Sequence, residues 1–211
     1  KRFAPALLSI LLFSCDKNLL TPTNSFLNAT GWFGEDDPSQ VPETIDNQFF
    51  SSAGPLPTSV DLSDYFPPVG DQGQFGTCVA WATAYHCKTA MEAIKFNLSK
   101  TQLQNPAYQL SPKYLFTALP DDEKGENCMG THYIAAMDLM LEQGVATKAV
   151  VPYENLGHCS QNLLDPAWNA NAAKHKINYY RRLDADKASV KQALADKMPV
   201  ILGAKLDDSF M

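Results

Sequence analysis

Residues 71–82 read Asp-Gln-Gly-Gln-Phe-Gly-Thr-Cys-Val-Ala-Trp-Ala, and this stretch constrains the chain more than any other. Cys78 opens a run in which Val79, Ala82, Tyr85, Cys87, Ala90, Met91 and Ile94 form a broad apolar face at helical spacing. That pattern predicts a helix from Cys78 to about Phe96 with a thiol at its head. A helix N-terminus carries unpaired N–H groups and the positive end of the macrodipole, and both favour thiolate, the nucleophilic form of cysteine. Gln72 lies six residues earlier, across a turn containing Gly73 and Gly76, within reach of an oxyanion forming near the sulfur. The stretch therefore reads as a nucleophile with half an oxyanion hole around it.

Charge and composition narrow the partners. The 211 residues suffice for one good-sized domain, or one domain and a tail, and 45% hydrophobic with 19% charged residues fits a globular protein. The net charge is −6 with no basic stripe, which argues against nucleic acid as a partner, since phosphate binding needs clustered Lys and Arg. Asp36-Asp37 and Asp121-Asp122-Glu123 read as solvated charge and lack the spaced loop ligands of a calcium site. No metal and no cofactor is expected.

The first residues are separate from the fold. Lys1-Arg2 precede an apolar run from Phe3 to Phe13 that ends in Ser14-Cys15, the pattern of a secretory signal too short to span a bilayer. A small residue just before Cys15 resembles a bacterial lipoprotein processing box. Residues 1–14 are thus expected to be removed and Cys15 to carry the lipid, giving an exported protein anchored to the cell envelope. An ordinary secretory signal, and a secreted protein, is the alternative. Residues 15–55, rich in Asn, Ser, Thr, Pro and Gly with no sustained period, read as a flexible tether or a short pro-segment. The domain is expected to run from residue 56 to 211.

Export implies an oxidising compartment. With Cys15 acylated and Cys78 reduced, three cysteines remain, at 87, 128 and 159. Cys128 and Cys159 both sit in polar, loop-like surroundings and are the expected disulfide. Cys87, inside the long helix, is expected to be a buried inert thiol. Further helices are expected at 111–119 with Ser111 as cap and Pro112 first, at 131–143 with Thr131 as cap and Gly144 as stop, at 166–174 and at 187–197. Residues 177–183 and 200–206 read as strands. Helices first and strands later predict a segregated α+β fold.

These residues resemble the papain-like (C1 family) cysteine peptidases over roughly 56–211. Pro57-Thr58-Ser59-Val60-Asp61-Leu62 is similar to the family's mature start, and it leads into Pro67-Pro68-Val69-Gly70-Asp71-Gln72-Gly73 and Gly76-Thr77-Cys78. Leu110-Ser111-Pro112-Lys113-Tyr114-Leu115 resembles its Leu-Ser-x-Gln-x-Leu segment. Asn127-Cys128-Met129-Gly130 resembles its Gly-Cys-x-Gly-Gly loop. Gln143-Gly144-Val145 and Val151-Pro152-Tyr153-Glu154 follow in the family's order. The resemblance implies a papain-like fold and a peptide or protein substrate. It implies that Cys78 attacks a peptide carbonyl to give a thioester, with Gln72 and the Cys78 N–H holding the oxyanion. It further implies that Gly76, Thr77, Gly130, Thr131 and His132 bind substrate, Gly76 leaving room beside the thiol, Gly130 letting a peptide backbone lie close, and Thr131, His132 and Tyr133 bordering a substrate pocket.

The sequence also departs from the family. Val79 replaces the usual aromatic after the nucleophile, Phe75 replaces a cysteine three residues before it, and Thr131 replaces the second glycine of the Gly-Gly pair. Residues 16–55 are too short and too polar for the family's helical prodomain. The base is the larger departure. Papain-group spacing puts the histidine about 130–150 residues after the nucleophile, which means about 208–228 here, while the histidines stand at 86, 132, 158 and 175. His86 lies more than two helical turns from Cys78, too far to reach back. His132 is nearest the expected cleft, and the others read as surface or loop histidines. The chain is therefore expected to be a C-terminally truncated peptidase lacking its β half and inactive by itself. A membrane-anchored binding module with a papain-like fold, and a transglutaminase-like acyl transferase, are the competing readings.

Overall fold

The structure is a computed structural model and describes residues 31–34, 37–41, 55–125, 128–154, 156, 159–161 and 164–204. The lipidation candidate Cys15, residues 1–14 and His158 lie outside the described residues.

The helix at the centre runs through three consecutive segments, α-helical at Cys78–Ala80, π-helical at Trp81–Lys88 and α-helical again at Thr89–Phe96. The wider middle has a local correlate: the Thr83 hydroxyl donates to the Val79 carbonyl at 2.7 Å, competing with the backbone ladder one turn back. Asn97 ends the helix in the left-handed region at φ 52°, and the Leu98 N–H returns to the Ala93 carbonyl at 2.9 Å.

The helix Pro112–Ala118 forms because Ser111 caps it, accepting from the Tyr114 N–H, and Pro112 presets the first turn. The same Ser111 hydroxyl donates to the Val151 carbonyl at 2.7 Å, so one side chain starts a helix and fastens a distant loop. This helix and Tyr133–Glu142 pack on the central helix, burying Tyr114, Leu115, Phe116, Ala136, Leu139 and Met140 against Val79, Ala80 and Ala84. Gly144 stops Tyr133–Glu142 at φ +84°, and a Cβ there would lie 2.1 Å from the Ala172 carbonyl oxygen. The cap of that helix is His132 rather than Thr131, and no side-chain hydrogen bond supports it.

Asp165 caps Pro166–Ala172 and Asp186 caps Lys187–Ala195, each through its carboxylate on early backbone N–H groups. The two strands expected late in the chain do not form where described. Residues 177–183 form no continuous strand, with a single β-bridge position at Arg182, residues 200–204 are irregular, and the Ile177 N–H bonds to the Met140 carbonyl at 3.1 Å, the end of a helix. A strand needs a partner ladder along its length, which a single bridge position does not make.

The strands that do form are short and lie elsewhere. β1 (Gly31–Trp32) pairs in parallel with β2 (Gly130–Thr131), Gly31 opposite Gly130 and Trp32 opposite Thr131. β1 comes from the segment expected to be a flexible tether or a short pro-segment, and at these two residues it pairs with the domain. Among the described residues no helix is long and apolar enough to cross a membrane.

Candidate active site

Cys78 is the first residue of the central helix, half-buried, reduced, and packed at the edge of the core. Thr77, fully buried, precedes it. The loop leading in is pinned from several sides. Asp71 accepts from the Gly73 N–H at 2.7 Å, which sets the turn, and Gly73 takes φ +65°. The Gln72 amide donates to the Phe75 carbonyl at 2.9 Å, and the Thr77 N–H reaches the same oxygen at 2.8 Å. A primary amide has two N–H donors, so the Phe75 bond orients Gln72 without using up its donating capacity.

Tyr153 locks this loop to the helix start and has no role in the sequence reading. Its O–H donates to the Gln72 carbonyl at 2.8 Å, so the Thr77 hydroxyl, 2.9 Å away, donates in turn to the Tyr153 oxygen. Burial pushes the phenol above its ordinary range, against a smaller opposing pull from the Thr77 bond, and keeps it protonated at neutral pH. Pro152-Tyr153-Glu154 signals only a familiar segment; that its hydroxyl spans 81 residues to the loop is a tertiary fact. Tyr153→Phe is expected to lower unfolding stability by about 1–3 kcal/mol, because it leaves the buried Thr77 hydroxyl without this partner. A shifted denaturant midpoint at constant slope checks it.

The aromatic residues after the thiol belong to the core. Trp81 meets Tyr85 and Tyr153 edge-on, with ring centroids 4.6 and 5.0 Å apart, and Tyr85 O–H donates to the Pro68 carbonyl at 2.8 Å. Gly70 lies directly on the Trp81 ring, which a Cβ would strike at 2.2 Å.

Opposite the loop, β2 forms a wall. The helix start at Cys78–Ala80 packs against β1, β2 and Tyr133–Glu142, which brings Gly130, Thr131 and His132 to the thiol's side of the molecule. The space left by the missing side chain of Gly76 is taken by this wall: a Cβ would lie 1.9 Å from the Met129 oxygen. Thr131 is fully buried, and among the described residues its hydroxyl has no hydrogen-bond partner. Phe33 lies edge-on to His132 at 5.4 Å and Trp32 against Tyr133 at 5.9 Å, so β1 and the residue after it set two aromatic rings against this side.

The remaining cysteines and histidines divide clearly. Cys128 and Cys159 form a disulfide, their Cα atoms 6.3 Å apart. Desolvation pushes the Cys87 thiol up to about 12, against a weaker pull from Lys88, so it stays neutral. His86 is 3% exposed among Phe66, Trp81 and Tyr85, and desolvation lowers it to about 4. The reading of His86 as a surface histidine is thereby corrected: the π-helical segment turns it inward. His175 is half-buried and bonded to Glu92 at 2.9 Å. Burial alone would raise Glu92, and the bonds from His175 and Lys88 outweigh it and hold the carboxyl low. Among the described residues no group of three or more His, Cys, Asp or Glu is placed to hold a metal ion.

A thiol at a helix head, a locked amide-bearing loop on one side and an extended-chain wall on the other suit acyl capture by sulfur. The model of the papain family cysteine proteases matches residues 56–211, and the chain belongs to that family. Among solved structures, it is similar to xylellain, a cysteine protease from Xylella fastidiosa, at 21% identity and TM-score 0.62, with 80% of this chain and 63% of that one covered. It is also similar to digestive procathepsin L 3 from the Tenebrio molitor larval midgut, at 22% identity and TM-score 0.56, with 80% and 49% covered. A second digestive procathepsin from that midgut, L2, matches at 18% identity and TM-score 0.56, with 84% and 54% covered. The chain thus spans about half to under two thirds of their length, and the likeness establishes the α+β papain-like fold. No curated protein matches significantly.

Proposed function

We propose that this chain carries the nucleophile half of a cysteine peptidase that cleaves peptide or protein substrates through a thioester. The observation that carries the reading is the half-buried Cys78 at the helix head, beside a loop that Tyr153 and Phe75 hold through Gln72. Sγ attacks the carbonyl carbon and forms the C–S bond. The oxyanion takes hydrogen bonds from the Gln72 amide and the Cys78 N–H, and the C–N bond breaks to release the amine. Water then attacks the thioester, the C–S bond breaks, and the acid leaves with the thiol restored. The chemistry needs a general base that takes the thiol proton and returns it to the departing amine, the part a histidine plays in papain-like peptidases. Gly130, Thr131 and His132 border the bound peptide.

In the same reading residues 15–55 are a short pro-segment on a tether, with Gly31–Phe33 lying along the wall a substrate strand would use. Cys15 carries a lipid that anchors the exported protein to the envelope. The signal-like residues 1–14 and the small residue before Cys15 support the anchor.

A thiol-directed peptidyl epoxide is expected to label the intact protein at Cys78. Cys78→Ser should abolish the adduct seen by mass spectrometry, and an adduct that survives overturns the nucleophile. Trp32→Ala, which removes a ring from the wall, should speed labelling several-fold. Peptide binding with no adduct at any pH would favour a binding module instead.

A further inference from the structure

Away from the thiol, the buried ammonium of Lys124 has every one of its donors engaged. Lys124 ends the short 3-10 turn Asp121–Lys124 and is 1% exposed. Its ammonium has three donors, and all three are taken: by the Thr117 carbonyl at 3.0 Å, the Asp121 carboxylate at 3.0 Å and the Cys159 carbonyl. Asp121 in turn accepts from the Gln161 N–H at 2.7 Å and the Ser160 hydroxyl at 2.8 Å, while the Gln161 amide donates to the Ala118 carbonyl at 2.9 Å. The carboxylate read as solvated charge is therefore the outer half of a clamp, held down to about 2 by the Gln161 N–H first, then Ser160 and Lys124.

The clamp acts on the wall by two routes. The Asp121–Lys124 turn packs directly against β2, and the next residue, Gly125, meets the Phe33 ring where a Cβ would lie at 2.5 Å. The Cys159 whose carbonyl Lys124 holds is also the anchor of the disulfide to Cys128, which sits in the left-handed region at φ 61° immediately before Met129 and Gly130. Those two residues touch Gly76, two positions from the thiol. Lys124 is thus joined by an unbroken chain of contacts to the wall beside Cys78.

We infer that Lys124 is a positioning residue: by fixing the Asp121–Lys124 turn and the Cys159 end of the disulfide, it sets the place of the Met129–Thr131 wall against which a substrate strand is held. The activity part rests on the peptidase reading; the placement of the wall does not. A buried ammonium that served only general stability would weaken the whole fold evenly. A positioning ammonium acts on the wall first.

The test compares the intact wild-type protein with Lys124→Met, which keeps the aliphatic stem and removes the three donors. Amide hydrogen exchange at Gly130 and Thr131 is expected to quicken about tenfold or more, with exchange at Ala84 and Ala90 in the central helix unchanged. Reduction of Cys128–Cys159 by dithiothreitol, in which the reagent gives two electrons and two protons and becomes a disulfide, should quicken by a similar factor. With the peptidyl epoxide, the half-saturating concentration should rise about tenfold while the limiting rate stays within twofold, since the wall holds substrate and does not supply chemistry. Equal exchange at the wall in both proteins, or quickening spread evenly over the central helix, overturns the inference. Where Lys124→Met does not fold, Asp121→Asn at the exposed end of the clamp carries the same comparison, with the same two outcomes deciding. If wild type takes no label, the peptidase reading fails, and exchange and reduction still decide the role of Lys124.

Discussion

Gly76→Ala is expected to be the most damaging single-methyl change near the thiol. The new Cβ would lie 1.9 Å from the Met129 oxygen, 2.2 Å from its carbonyl carbon and 2.9 Å from the Gly130 nitrogen. All three are backbone atoms, so no side chain can swing aside, and the wall or the loop must retreat by roughly 1.5 Å to restore ordinary contact. On one side the loop is held by Tyr153 and Phe75; on the other the wall is held by the disulfide and the Lys124 clamp. The expected cost is about 3 kcal/mol, the upper end for forced overpacking. A shift of that size beside the nucleophile should also slow labelling of Cys78 about 100-fold. Gly73→Ala is the control. Its φ of +65° strains alanine by about 1 kcal/mol, but its Cβ meets nothing nearer than the Phe75 ring at 3.8 Å. Equal losses from the two variants, by thermal unfolding and labelling rate, would mean that the Met129 contact does not matter.

Mild acid is expected to loosen the fold through His86. The group is enclosed by Phe66, Trp81 and Tyr85, and desolvation depresses it from 6.5 to about 4, so the folded protein holds it neutral. In the unfolded chain it protonates near 6.5. Its contribution is therefore complete above pH 6.5 and is lost as pH falls towards 4, because only the unfolded state gains the proton. Between pH 7 and pH 5 the loss should be about 2 kcal/mol. Glu92 and Asp121, both held low, are stabilising above their ordinary values near 4.5 and 3.8 and give way only at lower pH, so the window is separable. His86→Phe should flatten the urea midpoint between pH 7 and 5. A variant with the wild-type slope would place the acid sensitivity elsewhere.

What the residues alone settled is local. Cys78 at a helix head, Ser111-Pro112 and Gly144 as start and stop signals, and the apolar period of residues 78–96 each act within a few residues of themselves. Dihedral preference, capping and amphipathicity leave their mark directly in such short stretches. The order of those stretches along the chain was enough to point to the papain-like family. The strand expected at 177–183 forms only as a bridge position at Arg182, because Ile177 at its start is bonded to the Met140 carbonyl at a helix end. Tertiary structure alone decided the rest: that Tyr153 reaches Gln72 across 81 residues, that Trp32 lies opposite Thr131, that His86 faces inward and that Lys124 closes on Cys159. Each depends on burying a polar group or an aromatic ring against a partner distant in sequence. The energy of such a contact belongs to the pair, and neither member carries a sign of it in its own neighbourhood.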